Sequence, residues 1–475
     1  MVCPRYTTNG TLTLLSLWTG IALIAGLQIG SGIFSSPGAI VAYTQNATAS
    51  LVIWVVAALL AWTGASSFAE LGAMLPRNGG AQAYLAYAYG PLVSYLFTWT
   101  AILLLSPGTK AVNSLVFAEY VNRILWNATR GDDAPAEIIP SWVINATAVA
   151  AVCFVVVLVI GTRSLGSRAA VILTSMKVLA LLSVIVLGLI HRFLGRGVAS
   201  PYPNPIVEPS PTAASYAHAL YAGLWAFDGF NQANYVAGEM RHPARDIPRA
   251  IHSSMGLVAV LFFFANVAYF SVLDPAAIAQ SNTVALDFGW ALFGRAGGVL
   301  FALVVAISCL GVLTGSLFTS ARVVYAAART GQLPGALGVL DTDRGTPIRA
   351  VLLQAAITIA LILLGGGFRA LVRIAVVALW AFYFLTVSAV VILRVREPDL
   401  PRPYRTWIIT PLIFCAVTLF LLCVPAVAAP KENLVVVCYV VAALPAYYMT
   451  QKRHARATLG QEGSEQTYGS ISTSS

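Results

Sequence analysis

Of the 475 residues, 58% are hydrophobic and only 10% are charged, with a net charge of +10; an ordinary soluble domain carries about 25% charged residues. A single hydrophobic core stops growing beyond about 250–300 residues, so soluble domains would need charged surfaces that this chain lacks. Soluble enzymes, nucleic-acid-binding domains and disordered chains are excluded, and the composition points to a polytopic membrane protein of about twelve 20-residue crossings.

The chain opens on a short segment, 1–13, that is assigned to the cytoplasm. Arg5 and the apolar stretch after it look faintly like a signal peptide. That stretch outruns a signal core and has no convincing cleavage site, so it reads as the first span. Apolar runs then predict spans at 14–42, 50–75, 84–108, 142–160, 169–190, 215–238, 255–273, 297–324, 350–366, 370–393, 407–428 and 433–449. The fold class is all-α. The tail, 451–475, is polar, rich in Ser and Gly, and predicted to be disordered and cytoplasmic.

Two spans are interrupted. Span 1 contains Gly30-Ser31-Gly32, and span 6 contains Phe227-Asp228-Gly229-Phe230-Asn231. Each glycine costs a helix about 1 kcal/mol, and an Asp at bilayer depth adds about 2.5–3.5 kcal/mol. Close helix packing alone accounts for the first break as well as a binding site does. It does not account for the Asp in the second. The breaks open two runs of five spans, about 14–190 and 215–393, with two further helices at 407–449. Interrupted helices at matching positions in two halves point to an inverted-repeat transporter with its site at the midplane.

An unwound segment exposes amides at the start of one half-helix and carbonyls at the end of the other. These suit an anion and a cation respectively. An α-amino acid carries both charges on one carbon. Ser31 and Gly32 are placed to offer amides to its carboxylate. The carbonyls of Gln28, Ile29, Trp225 and Asp228 are candidates for its ammonium. Asp228 is also a candidate ion-pair partner and proton carrier, the alternative being that it caps free amides of the outer half-helix.

Lys177 stands in the middle of span 5, where a lysine is rare and usually functional. Glu70 and Glu239, at the ends of spans 2 and 6, read as helix-end ion-pair partners of loop arginines, and Glu119 as a solvated residue beyond span 3. The five histidines show no metal-ligand spacing, so no metal and no cofactor is expected. Of the cysteines, five lie inside apolar runs and Cys3 near the start, so no structural disulfide is predicted. Loop Lys and Arg divide eighteen against eight when both termini face the cytoplasm, which orients the protein that way; the plasma membrane is the expected location. Asn46-Ala-Thr48 and Asn127-Ala-Thr129 are then outer sequons.

Five ordered stretches carry a family resemblance. They are Gly30-Ser31-Gly32-Ile33-Phe34 with Pro37-Gly38; Phe68-Ala69-Glu70-Leu71-Gly72 with Gly79-Gly80 and Tyr89-Gly90-Pro91; and Gly238-Glu239-Met240 with Pro243 and Ile247-Pro248. Gly315 to Arg322 and Arg396 to Tyr404 complete the set. Spread from about 14 to 450, they resemble the amino acid–polyamine–organocation superfamily, and within it the L-type amino acid transporters of the fungal kind. The resemblance implies a leucine-transporter-like fold of ten core helices plus two. It places substrate contacts at Gln28, Ile29, Ser31 and Gly32, with Ser316 in the pocket and Trp225 as the outer gate. It implies that the Lys177 ammonium stands where sodium-coupled relatives hold sodium, bridging span 1 to span 8. A heavy-chain partner joined by disulfide is not expected, because 122–141 contains no cysteine.

The resulting expectation is a sodium-independent secondary transporter of neutral, leucine- or methionine-like L-amino acids, working by alternating access as an exchanger or a proton symporter. The alternatives are a membrane-embedded enzyme, or a carrier of other amines or polyamines. An enzyme would need convergent titratable groups, and the sequence offers only Asp228 and Lys177 at mid-depth.

Overall fold

The computed structural model describes residues 16–76, 79–130, 139–161, 167–195, 198, 211–329, 331–341, 346–364, 368–428 and 437–449. These form helices and connections, with no β-strand among them. The reason is solvation: in hydrocarbon every backbone group must be satisfied internally, and a helix does this within one segment.

Span 1 is a pair, α1 (Leu17–Gln28) and α2 (Gly32–Thr44), bent by 41° at the break. Span 2 is α3 (Ala47–Met74). Next come α4 (Ala81–Tyr89), α5 (Pro91–Thr100) and, after a π-turn at Ala101–Leu105, α6 (Ser106–Arg130). Spans 4 and 5 are α7 (Ser141–Gly161) and α8 (Ser167–Phe193). Span 6 is α9 (Ala213–Ala226), the break, the short α10 (Gln232–Tyr235) and a 3-10 turn at Ala237–Glu239. Then follow α11 (Pro243–Val272), α12 (Pro275–Gln280), α13 (Val284–Arg329), α14 (Ile348–Leu364), α15 (Phe368–Arg396), α16 (Ile409–Ala428) and α17 (Val437–Met449).

Three boundaries differ from the sequence prediction. Residues 84–108 are not one span. The helix α4 stops at Gly90, which turns the chain at φ 92°, and span 3 starts afresh at Pro91 and runs through α5, the π-turn and α6. Pro107-Gly108 looks like a helix end, yet the π-turn just before it absorbs the missing hydrogen bond. Span 7 starts at Pro243, well before residue 255, because proline fits a first helical turn. The run α13 is kinked at Phe293 and Gly294, the latter at φ 62°, so a separate helix precedes span 8.

Aromatic packing holds the centre. Trp54, Phe227 and Phe262 meet edge-on or tilted, with ring centroids 5.1–5.9 Å apart. Large apolar side chains such as Phe154, Leu179 and Leu300 remain exposed, as helices facing lipid require. Where α3 and α15 end, buried Glu70 takes a two-pronged bond from Arg394, at 2.9 and 2.5 Å, and the Thr406 amide at 2.8 Å. The Arg402 guanidinium stands 3.8 Å from the same carboxylate. The ion-pair expectation for Glu70 thus holds, while the Glu239 side chain and the Asn127 sequon side chain lie outside the described residues. Glu119 is not solvated beyond a span: it lies inside α6, 3.7 Å from Arg123 and mostly buried. Asn46 caps α3, its Oδ1 accepting the Thr48 and Ala49 amides at 2.8 and 3.2 Å.

Candidate functional site

The two breaks lie against each other. Gln28, the last residue of α1, donates from Nε2 to the Phe227 carbonyl at 2.8 Å, with Met255 Sδ at 3.1 Å. Its Oε1 is buried without a partner among the described residues. Ile29 leaves helical geometry at ψ 67°, and the Gly30 amide turns back onto the Gln28 carbonyl at 2.8 Å. No side chain caps the start of α2 at Ser31. The first amides of α2 therefore have no partner of their own helix.

Gly32 is a point of close backbone packing. A Cβ built there would stand 2.6 Å from Ala226 Cα, so the backbones of spans 1 and 6 meet at that glycine. On span 6, the Asp228 amide closes onto the Trp225 carbonyl at 3.2 Å, and Gly229 turns the chain at φ 105°. That conformation favours glycine. The Gln28 carbonyl accepts the Gly30 amide and keeps one lone pair for a cation, whereas the Trp225 carbonyl takes the amides of both Phe227 and Asp228.

Asp228 reaches across to span 10. The Tyr383 hydroxyl donates to Asp228 Oδ1 at 2.6 Å, and the Gly229 amide bonds to the same side chain. Tyr383 also meets the Asn231 side chain and is wedged among Phe68, Phe230 and Trp380, with centroids 5.4–5.7 Å away. The capping alternative needs correction. The half of span 6 before the break, α9, ends there and presents carbonyls, so it has no free amides for Asp228 to cap.

Lys177 donates to the Gly26 carbonyl at 2.8 Å, and Thr174 to the Ala22 carbonyl at 3.0 Å, tying α8 to α1. On the α13 side the group within electrostatic range of Lys177 is the Cys309 thiol. The α13 residue that meets the first break is Val312, 3.5 Å from where a Gly30 Cβ would stand. Ser316 lies one turn farther along that face, half-buried. Trp225 is buried, one residue before α9 ends.

Three residues escape the sequence reading. Tyr383 looks like any packing aromatic, and only the need of a deep carboxylate for a donor singles it out. Asn113 of α6 is buried, its Oδ1 has no partner among the described residues, and it faces Gly30. Lys110 is a third mid-depth titratable group, hidden because the predicted span ends at 108. It is 1% exposed and donates to the Ser106 carbonyl at 3.1 Å, Ser106 Oγ at 2.6 Å and Gln354 Oε1 at 3.0 Å. Among the described residues no three of His, Cys, Asp and Glu come together as a metal site would need.

Residues 15–444 match the family model described as "Amino acid permease". Among relatives, the b(0,+)-type amino acid transporter 1 of Mus musculus is 34% identical over 92% of this chain and 87% of its own. The same-named protein of Homo sapiens is 32% identical over the same shares. The large neutral amino acids transporter small subunit 2 of Oryctolagus cuniculus is 31% identical over 92% of this chain and 80% of its own. These relatives are mammalian and do not support the fungal narrowing. The last is named a small subunit, so the comparisons do not support excluding a heavy-chain partner. The enzyme alternative falls, because the relatives are transporters. An uncapped helix start, freed carbonyls and two interlocked breaks, in a chain matched over almost its whole length, place it in the amino acid permease family as a multi-pass amino acid transporter.

Proposed function

We propose that the chain moves neutral L-amino acids, leucine- or methionine-like, without sodium and by alternating access about the two breaks. The observation that carries this is the contact of the breaks. The uncapped start of α2 offers amides to a carboxylate beside the Gln28 carbonyl, which retains a lone pair for an ammonium. Residues Gln28, Ile29, Ser31, Gly32, Trp225 and Ser316 line the path of the substrate, with Trp225 as the gate. The Lys177 ammonium on the Gly26 carbonyl supports sodium independence, since a fixed cation already holds that oxygen. Asp228 is a proton-carrying and ammonium-pairing group, aimed by Tyr383. The same carboxylate favours a second reading, uptake of amino acids with cationic side chains. Polyamines lack the carboxylate that the α2 amides would hold.

The protein is assigned to the plasma membrane with both termini in the cytoplasm, and the transporter domain to 14–450 between the flanking segments 1–13 and 451–475. A partner bound at 122–141 is held without a disulfide, because that segment has no cysteine.

Proteoliposomes loaded with unlabelled leucine test the reading. Labelled leucine should enter at equal rates in sodium and in choline medium, with methionine competing and putrescine not. Competition by arginine stronger than by methionine would favour the second reading. No uptake of any amino acid would refute both.

A further inference from the structure

The substrate path does not use His252, yet it is tied on two sides. It stands half-buried on α11, nine residues after Pro243, between span 2 and the connection from span 10 to span 11. Trp62 Nε1 of α3 donates to His252 Nδ1 at 2.9 Å. On the other edge His252 Nε2 meets the Tyr404 hydroxyl at 2.7 Å. The rings lie 6.3 and 5.4 Å apart, both tilted.

An indole nitrogen only donates, so Nδ1 must be the acceptor and the single proton of the neutral ring must sit on Nε2. The tautomer is fixed by chemistry alone. A second proton, added at Nδ1, would set one N–H against another and open the bond to Trp62. His is the side chain whose charge changes between about pH 5 and 8.

We propose that His252 is a proton-binding site open to the side of the membrane that carries the 10–11 connection, and that its protonation releases a tie between spans 2 and 7 and that connection. On the orientation proposed above, that side is the cytoplasm. The connection is itself anchored: Arg394, Arg402 and the Thr406 amide surround Glu70 at the end of span 2. The neutral His252 therefore fastens span 7 to an already clamped end of spans 2 and 10. Acid on that side loosens span 7 alone and speeds the rocking that transport requires.

Among the described residues, charged and titratable groups come from each element packed against the ring. Span 2 brings Glu70, span 10 Arg394, and the connection Arg402 and the Tyr404 hydroxyl, which burial pushes above its ordinary value and so keeps protonated. On its own helix Arg249 lies one turn back. The opposite face of α11 turns to span 1, where Ser254 donates to the Ile21 carbonyl at 3.2 Å. Lys177 of span 5 is committed to Gly26 and does not face the ring.

The test is exchange in oriented proteoliposomes with pH set separately on each side. Wild-type exchange should rise about threefold as the side of the connection falls from about pH 7.5 to 5, with no response from the other side. H252Q keeps both bonds, since its amide accepts from Trp62 and donates to Tyr404, but cannot titrate; its rate should be flat and near the neutral wild-type value. H252F lacks the tie and should be fast at both values. A substrate-free arm follows tryptophan emission in detergent: protonation of His252 should quench Trp62, a step absent in both H252Q and W62F. The quenching step without a rate change would overturn the role in transport while leaving the amino acid reading intact. An acid response surviving in H252Q, a fall in rate instead of a rise, or a response from the other side alone would overturn the proposal outright.

Discussion

At the scale of single residues, the deciding contact is the short bond from Tyr383 to Asp228. A half-buried carboxylate at bilayer depth is costly unless it is hydrogen-bonded or neutral. Asp228 has two donors, one from span 10 and one from its own turn. D228N retains the shape and cannot titrate, while Y383F retains the ring and removes the donor. If Asp228 carries a proton, D228N should keep residual exchange that moves no proton with the substrate, and Y383F should still move protons, more slowly. A pH-sensitive dye trapped in the proteoliposomes settles the point; proton movement with leucine unaltered in D228N would discard the proton role. Much of this was legible in the chain. An Asp in an apolar span announces itself, whereas its partner lies 155 residues away and looks like ordinary aromatic packing. Gly32 shows the converse limit. Its spacing marks the break, but nothing in the sequence reveals that Ala226 presses against it. Loss of transport in a Gly32→Val variant therefore does not separate ligand access from packing.

At the scale of elements, the π-turn in span 3 is the feature that apolar runs conceal. It is held by a closed set of bonds: Gln354 Nε2 donates to the Ile102 carbonyl at 2.8 Å, and its Oε1 accepts from Lys110. Removing one member strands the rest, while replacing both by apolar groups of similar shape is close to neutral. K110M should therefore cost about 3 kcal/mol or less, and K110M with Q354L should recover most of that loss. Thermal unfolding in detergent of both singles and the double variant measures the coupling; additive losses would show that the two side chains act separately. The long helices were readable because hydrophobic runs are long, whereas the short α12 and the segment of α13 before Gly294 fall outside every predicted span. The helix ends were not readable. Proline-glycine pairs imitate a stop where the π-turn permits continuation, and the polar start of α11 hides a helix that begins before the membrane.

For the whole molecule, loop charge and the clamp at Glu70 bear on one question, which face looks inward. The clamp gathers Arg394 and Arg402 on the face where spans 2 and 10 end, with Arg396 close by on α15. Basic residues concentrate on cytoplasmic loops, so that face should be internal. Epitopes placed at either terminus should bind antibody only after the plasma membrane is permeabilised. Exposure of one end alone on intact cells would mean an odd number of crossings.

The bond from Lys177 to Gly26 also bears on work. A solute gradient can drive another solute uphill only if the driving particle is picked up on one side and set down on the other. An ammonium joined to the polypeptide is never set down. Whatever stabilisation it gives the first half of span 1 is the same at the start and the end of each cycle, so it contributes nothing to accumulation. On the sodium-free reading proposed above, concentrating power comes from particles that leave: a second amino acid travelling the opposite way, or a proton. In the first case the protein reshapes the composition of a cell's amino acid pool without changing the number of molecules in it.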